Sequence, residues 1–319
     1  MIRSTDAHSD AMPGIQDPVY GRPFALAYQR VWEDRYAVPM SRHFPRMQRA
    51  LDVRGKLFAD VACGTGRFAR ELALQGYRGV GLDQSSAMVQ LARESCADVK
   101  PDKLRFEEQS MAGFALSEPV DFVTCWFDSV NYLSTLSEVE AFFVACYRSI
   151  TPGGCLLFDF ETEAAFLDRW ERRSLSASAI VRNVLGQAKR RRFRGSIDVV
   201  GDRLRSDAER STRTFRRDMV VVRATCRYNA CSEEAVTELR GRVWDEGRWL
   251  RIHENHVQRV FCLSQLVPRL HAAGFHSVTP FCLSSVGSLV EHDLPEDVRR
   301  IYVHARKEPS TADAAVSDP

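Results

Sequence analysis

From Asp60 to Ala69 the chain reads Asp-Val-Ala-Cys-Gly-Thr-Gly-Arg-Phe-Ala, behind the apolar lead-in Leu57-Phe58-Ala59. Gly64 and Gly66 permit a tight turn and let a ligand come close to the main chain. The helical spacing that follows, over 68–74, would place unpaired N–H groups at that turn. Asp60 adds a carboxylate at the strand's end, which suits a cationic amine and repels a pyrophosphate. One strand–helix unit later, Gly81-Leu82-Asp83 closes a second apolar run. Asp83 is placed to accept hydrogen bonds from ribose hydroxyls. Gly64-Thr65-Gly66-Arg67-Phe68-Ala69 also satisfies the dinucleotide pattern G-x-G-x-x-A, so the glycines alone do not choose between adenosine ligands.

Further groups able to move a proton or close a pocket follow. Cys125-Trp126-Phe127-Asp128-Ser129-Val130-Asn131-Tyr132-Leu133 ends another apolar run, and Glu254-Asn255-His256 precedes the last helical segment. Asp128, Tyr132 and His256 are candidate proton acceptors. Tyr28 joins them from an aromatic series, Phe24, Tyr28, Trp32 and Tyr36, that recurs every four residues. Such a series shares one helix face, which either packs on a core or covers a pocket. His253 and His256 could equally be structural histidines.

These residues need a scaffold. Apolar runs at 57–62, 79–82, 104–107, 121–126 and 155–160 alternate with helical patterns at 68–74, 86–92 and 139–150. That alternation predicts a parallel sheet covered on both faces. Ser137 and Glu140 form a capping-box pattern at the start of the last of these helices. Thr151-Pro152-Gly153-Gly154 reads as its stop signal. Residues 161–255 are charged and arginine-rich, with β-like runs at 219–228, 236–243 and 249–254, as in an inserted antiparallel layer. A helix over 264–270 and strands at 278–283 and 300–305 complete the chain. The expected organisation is a disordered 1–18, a helical lid over 19–50, a core from 51–160 with 256–307, an inserted β-rich cap region over 161–255, and a disordered tail over 308–319.

Composition limits the partners. The 319 residues are 45% hydrophobic and 27% charged, with net charge +2, ordinary for a globular protein and too mild to argue for nucleic acid. Nine cysteines without a C-x-x-C pair read as reduced thiols of a cytoplasmic protein, with no metal site. No apolar run reaches the ~18 residues of a membrane span. Lys189-Arg190-Arg191-Arg192-Phe193-Arg194 is the strongest charge block, but acids such as Asp198 and Asp202 follow it. A solvated face is the leading reading, with an anionic small ligand or RNA as alternatives.

The turn Asp60–Gly66, the acid Asp83 and Pro152-Gly153-Gly154 before the fifth strand occur in an order that resembles the class I S-adenosylmethionine-dependent methyltransferases. The resemblance covers roughly 55–160 well and 255–306 more loosely. The 125–133 run and Glu254-Asn255-His256-Val257-Gln258-Arg259-Val260-Phe261 are similar to the small-molecule branch containing glycine and amino-sugar N-methyltransferases. The resemblance implies an α/β, Rossmann-like, seven-stranded, mostly parallel sheet with an antiparallel last strand, plus the inserted β-layer. It implies S-adenosyl-L-methionine as cofactor. Ala62, Gly64 and Gly66 would line its methionine part, with Asp60 toward the amino group and Asp83 on the ribose. Gln84 and Met88 would flank the adenine, Ser110 and Met111 would stand where the family often has Asp-Met, and Trp126 and Phe127 would close over the sulfonium. The expected reaction is methyl transfer to N or O of a small, specialised-metabolite acceptor. Nucleic acid and membrane are not expected as partners; the oligomeric state, a homodimer included, stays open. So do an RNA-directed enzyme, a cofactor-binding protein with a non-methylating reaction and, more distantly, an NAD enzyme.

Overall fold

The computed structural model describes residues 19–171, 210–217, 219–283, 289–290, 294 and 298–309. Residues 1–18, the basic run 189–194 and residues 310–319 lie outside that set, and with them most of what is expected of the two ends.

Five parallel strands form the centre: β1 (Leu57–Val61), β2 (Arg78–Asp83), β3 (Leu104–Glu108), β4 (Val120–Cys125) and β5 (Ile150–Glu161). With β10 (Ser277–Leu283), the two-residue β11 (Leu289–Val290) and β12 (Arg300–Arg306) the sheet order is β11-β10-β12-β5-β4-β1-β2-β3. β12 slots between β5 and β10, antiparallel to both. The seven main strands are therefore those expected, and β11 is a short addition at the edge.

Both faces are covered, which is why β1 and β4 are near-continuous apolar runs. On one face α2 (Asp34–Ala50) and α3 (Arg67–Leu74) set Phe44 and Phe68 against Phe58 and Phe122, joined by α4 (Ser86–Ser95). On the other, α5 (Leu136–Ser149) and α7 (Leu263–Ala273), which comes after α6 (Glu163–Glu171), bring Phe142 and Leu266 onto Val123 and Phe158. The cap of α5 lies just before the Ser137 and Glu140 pair that the sequence suggests. Thr135 Oγ1 accepts from Glu138 N at 3.1 Å, and Glu138 Oε2 accepts from Thr135 N at 3.1 Å. The Pro-Gly-Gly stretch does not separate helix from strand either. β5 already begins at Ile150, and the pairing with β4 shifts register there, as a bulge requires. A Cβ on Gly154 would meet the Asp121 carbonyl at 2.3 Å.

The insertion forms a second, antiparallel sheet in the order β6-β7-β8-β9: β6 (Arg210–Arg217), β7 (Val220–Asn229), β8 (Glu234–Asp245) and β9 (Arg248–Arg259). Glu246 and Gly247, both at positive φ, make the tight β8–β9 hairpin. β9 runs on through Arg259, past residue 255, so His256 stands on this sheet. The inner face, with Val222, Leu239 and Ile252, packs on Phe24–Ala27 of α1 (Arg22–Tyr28) and on Met88 and Leu91 of α4. The first helix is thus wedged between the second sheet and α4. Residues Gln29–Glu33, between α1 and α2, form a π-turn, a rare element often found at functional sites.

Candidate active site

Strand order reverses at β1, whose neighbours are β2 and β4. In such sheets ligands sit beyond the carboxyl ends of the strands at the reversal. A cavity of about 320 Å³ opens there, within the range of a site for one nucleoside-sized molecule. The aromatic series from the N-terminal helices, Phe24, Tyr28, Trp32 and Tyr36, lines it. So do Asp60, Ala62, Gly64, Asp83, Gln84, Met88, Met111, Trp126, Phe127, Asp128, Tyr132 and His256, thirteen of the fifteen anticipated site residues once Tyr28 is counted.

Main-chain conformation aims these groups. Ala62 (φ 57°) and Gly64 (φ 56°) turn the chain sharply off β1, and Phe127 (φ 62°) and Asp128 (φ 55°) do so off β4. Left-handed non-glycine residues are costly and concentrate at functional sites. The β4 turn is held by the buried Asp159 on β5, whose carboxylate accepts from Phe127 N at 2.6 Å and Asp128 N at 3.1 Å.

Two acids frame the glycine turn. Asp60 is 3% exposed and accepts from Thr124 Oγ1 at 2.8 Å. Burial pushes its carboxyl up to about 7; the Thr124 bond opposes that and the nearby Asp83 adds to it. Asp83 accepts from Gly64 N at 2.8 Å and Ser85 N at 2.9 Å, one on each oxygen. Burial lifts it to about 6 against those two bonds. Each oxygen keeps lone-pair capacity for a ligand hydroxyl.

On the β4 side a proton-handling chain reaches the cavity. Tyr132 Oη lies 3.0 Å from His256 Nδ1, and His256 Nε2 lies 2.9 Å from Glu254 Oε2. With Glu254 accepting from Nε2–H, Nδ1 is the ring's acceptor for the phenol. Glu254 is 2% exposed and also receives Tyr20 N at 2.8 Å and Gly21 N at 3.0 Å.

Some expectations change. Gly66 does not line the cavity: it caps α3 at φ 77°, and a Cβ there would strike the Phe106 ring at 2.6 Å. It serves close packing. Ser110 is also outside, accepting from Ala112 N at 3.3 Å, and Gln109 lines the wall in its place. Asp128 is not a free acid: Arg300 Nη2 at 2.7 Å and Gln258 Nε2 at 2.6 Å take its two oxygens. Arg300 also pairs with Asp159 and Glu161. Tyr28 is held protonated: burial, Asp128 and Glu33 all push its phenol upward. His253 stands apart, 3.5 Å from Glu238.

Glu33 and Arg300 are not singled out by the sequence, and Glu254 and Gln258 stand there only within the quoted 254–261 run, with no role of their own. Their signal is partial: Glu254 and Gln258 stand in period two with His256, on the inward face of β9. Glu33 and Arg300 carry no local mark.

Residues 58–154 match the family model described as a methyltransferase domain. Among curated proteins, the chain is similar to a putative methyltransferase of Geobacillus sp. (strain WCH70), 36% identical over 104 residues, 33% of this chain and 42% of that protein. It is also similar to dTDP-3-amino-3,6-dideoxy-alpha-D-glucopyranose N,N-dimethyltransferase of Streptomyces fradiae, 28% identical over 162 residues, 48% and 58% of the two chains. The chain spans about half the length of the curated relatives it matches. Among solved structures, an S-adenosylmethionine-dependent methyltransferase from Clostridium acetobutylicum ATCC 824 superposes with TM-score 0.61 at 16% identity, over 89% of this chain and 98% of that one. That likeness establishes a shared fold.

Proposed function

We propose, from the match of residues 58–154 to a methyltransferase-domain model, that the protein transfers a methyl group from S-adenosyl-L-methionine to a nitrogen or oxygen of a small specialised metabolite, an amine before a hydroxyl. The observation that carries this reading is one cavity with two chemistries. Asp60, Asp83 and the open Gly64 turn stand on the β1–β2 side, and the Tyr132–His256–Glu254 chain stands on the β4 side.

The cofactor fits what lines the cavity. A Cβ placed on Gly64 would meet only Tyr28 Cε1, at 3.7 Å, so the turn leaves room above it. Asp60 suits the amino group, Asp83 the ribose, and Gln84 and Met88 the adenine. Trp126 Nε1 is buried without a hydrogen-bond partner among the described residues, a donor that a ligand acceptor can satisfy. When bound, the cofactor supplies a methyl already activated by a sulfonium charge.

The chain's own residues then have three tasks. Tyr28, Trp32 and Phe127 exclude water from the reacting centre. Arg300 fixes Asp128 and, with Gln258, shapes the floor on which an acceptor is aligned. Tyr132, passing its own proton to His256 Nδ1, receives the one that an acceptor ammonium must lose before its amine attacks, or that a hydroxyl loses as it attacks, and Glu254 steadies the imidazole in the tautomer this needs. The Streptomyces relative's printed activity is on a sugar amine, which supports amine over hydroxyl, as do the acids facing the cavity.

Calorimetry with S-adenosylmethionine, S-adenosylhomocysteine and NADH, on the parent and on Asp83→Ala, tests the reading. Binding of both sulfur ligands, lost in the variant, with no NADH heat, is expected. Tight NADH binding without a response to either sulfur ligand would return Gly64-Thr65-Gly66 to the dinucleotide interpretation.

A further inference from the structure

Glu33 lies on the π-turn of the N-terminal helices, lines the same cavity and is 6% exposed. Its Oε1 accepts from Thr65 Oγ1 at 2.8 Å, and Thr65, 1% exposed, is the middle residue of the glycine turn. The N-terminal helices therefore deliver a third carboxylate to the side of the cavity where Asp60 and Asp83 already stand. Burial strips hydration from all three acids and Asp60 and Asp83 repel each other, so full charge on this side is unfavourable unless a cation arrives.

We propose that Glu33 is a cofactor-binding residue that reaches the α-ammonium of the methionine part from the lid, sharing it with Asp60, so that lid closure and recognition of that charge are one event. This rests on the cofactor reading above. An ammonium has three N–H donors and no acceptor, so it can bind both carboxylates at once; neither adenine nor ribose carries a positive charge to do so.

The surroundings set the pH response. Burial lifts Glu33 to about 7, the Thr65 bond and the Arg67 and Arg70 guanidiniums on α3 oppose this, and Asp34 beside it adds to it. Tyr28 and Cys96 also face it, and Asp60 and Asp83 share the cavity. In the ligand-free protein Glu33 is protonated below about pH 7. Binding a cation drives it to ionise, so ligand binding releases a proton near neutrality.

The test compares parent and Glu33→Gln by calorimetry, with S-adenosylhomocysteine and with 5′-methylthioadenosine, which keeps the adenosine and the sulfur but lacks the amino-acid end. Glu33→Gln is expected to weaken S-adenosylhomocysteine about tenfold or more at pH 8 and to leave methylthioadenosine within about twofold. The gap should narrow at pH 6, where the parent's Glu33 is itself neutral. Titrations in buffers of different ionisation enthalpy should show less proton release from the variant. Thr65→Val, which removes the orienting hydroxyl, should shift binding in the same direction by less. Equal losses for both ligands, or a gap independent of pH, would overturn the assignment and leave Glu33 a packing residue. A parent that binds neither ligand would instead overturn the cofactor reading, a distinct failure.

Discussion

Asp60→Asn replaces a buried acid by a neutral group of the same shape, and its effect follows from one sign. In the folded chain Asp60 titrates at about 7, against 3.8 for an ordinary aspartate. Because the folded value is the higher one, folded protein holds a proton that the unfolded chain has already released. The contribution of this residue to stability is therefore full below about pH 4 and is lost as pH rises toward 7. One pH unit is worth about 1.36 kcal/mol per group, so integrating from pH 5 to pH 7, with the curve flattening near 7, gives roughly 2 kcal/mol. The asparagine has no such slope. Urea unfolding of ligand-free parent and variant at pH 5, 6 and 7 should show the variant gaining on the parent by about that amount across the range. Glu33, also raised by burial, and His304, which burial lowers to about 4, are present in both proteins and drop out of the difference; Asp83, whose charge adds to the rise at Asp60, leaves a smaller remainder. Parallel stability curves would refute the claim that Asp60 is held neutral by desolvation. The same variant should bind S-adenosylmethionine more weakly, so stability in the empty state and affinity move in opposite directions, as expected for an acid kept in place for a ligand.

Tyr132→Phe keeps the ring and removes the hydroxyl that meets His256. Turnover with an amine acceptor should fall about 10- to 100-fold and the ascending limb of its pH profile should move, while S-adenosylhomocysteine affinity, read by calorimetry, stays within about twofold. Asn131 is fully buried, donates to the Glu161 and Arg259 carbonyls at 3.0 and 2.8 Å and accepts from Glu161 N at 2.9 Å. Asn131→Ala leaves those main-chain groups unpaired and should cost about 3 kcal/mol in denaturant unfolding, with the loss concentrated, by hydrogen exchange, where β9 meets β5.

The central sheet could be read from the chain because parallel strands buried on both faces are written as short apolar runs, and β1, β2, β4 and β12 fall within a residue or two of those runs. β6 could not. Arg-Ser-Thr-Arg-Thr-Phe-Arg-Arg has one large apolar side chain and no alternation, and it becomes a strand by pairing with β7. The cavity residues next to glycines or at strand ends were legible because local main-chain geometry demands particular residue types there. Glu33 and Arg300 were not. Arg300 meets Asp128, 172 positions earlier, only once β12 is inserted beside β5, and Glu33 meets Thr65, on a different element and 32 positions later, only in the folded chain. Asp128 misleads for the same reason: its type suggests a free acid, and the guanidinium and the amide that occupy it come from the distant strands β12 and β9.

The carboxylate of Glu254 binds the first residues of the N-terminal helices through Tyr20 N and Gly21 N while its Oε2 also holds the His256 imidazole. Latch and orienting partner are thus one carboxylate. Lifting the helices strips two hydrogen bonds from Glu254, leaves its charge under-satisfied and frees it to turn away from His256. Under the proposed function, the proton acceptor would then be aligned only while the cover is seated, an interlock between containment and reactivity.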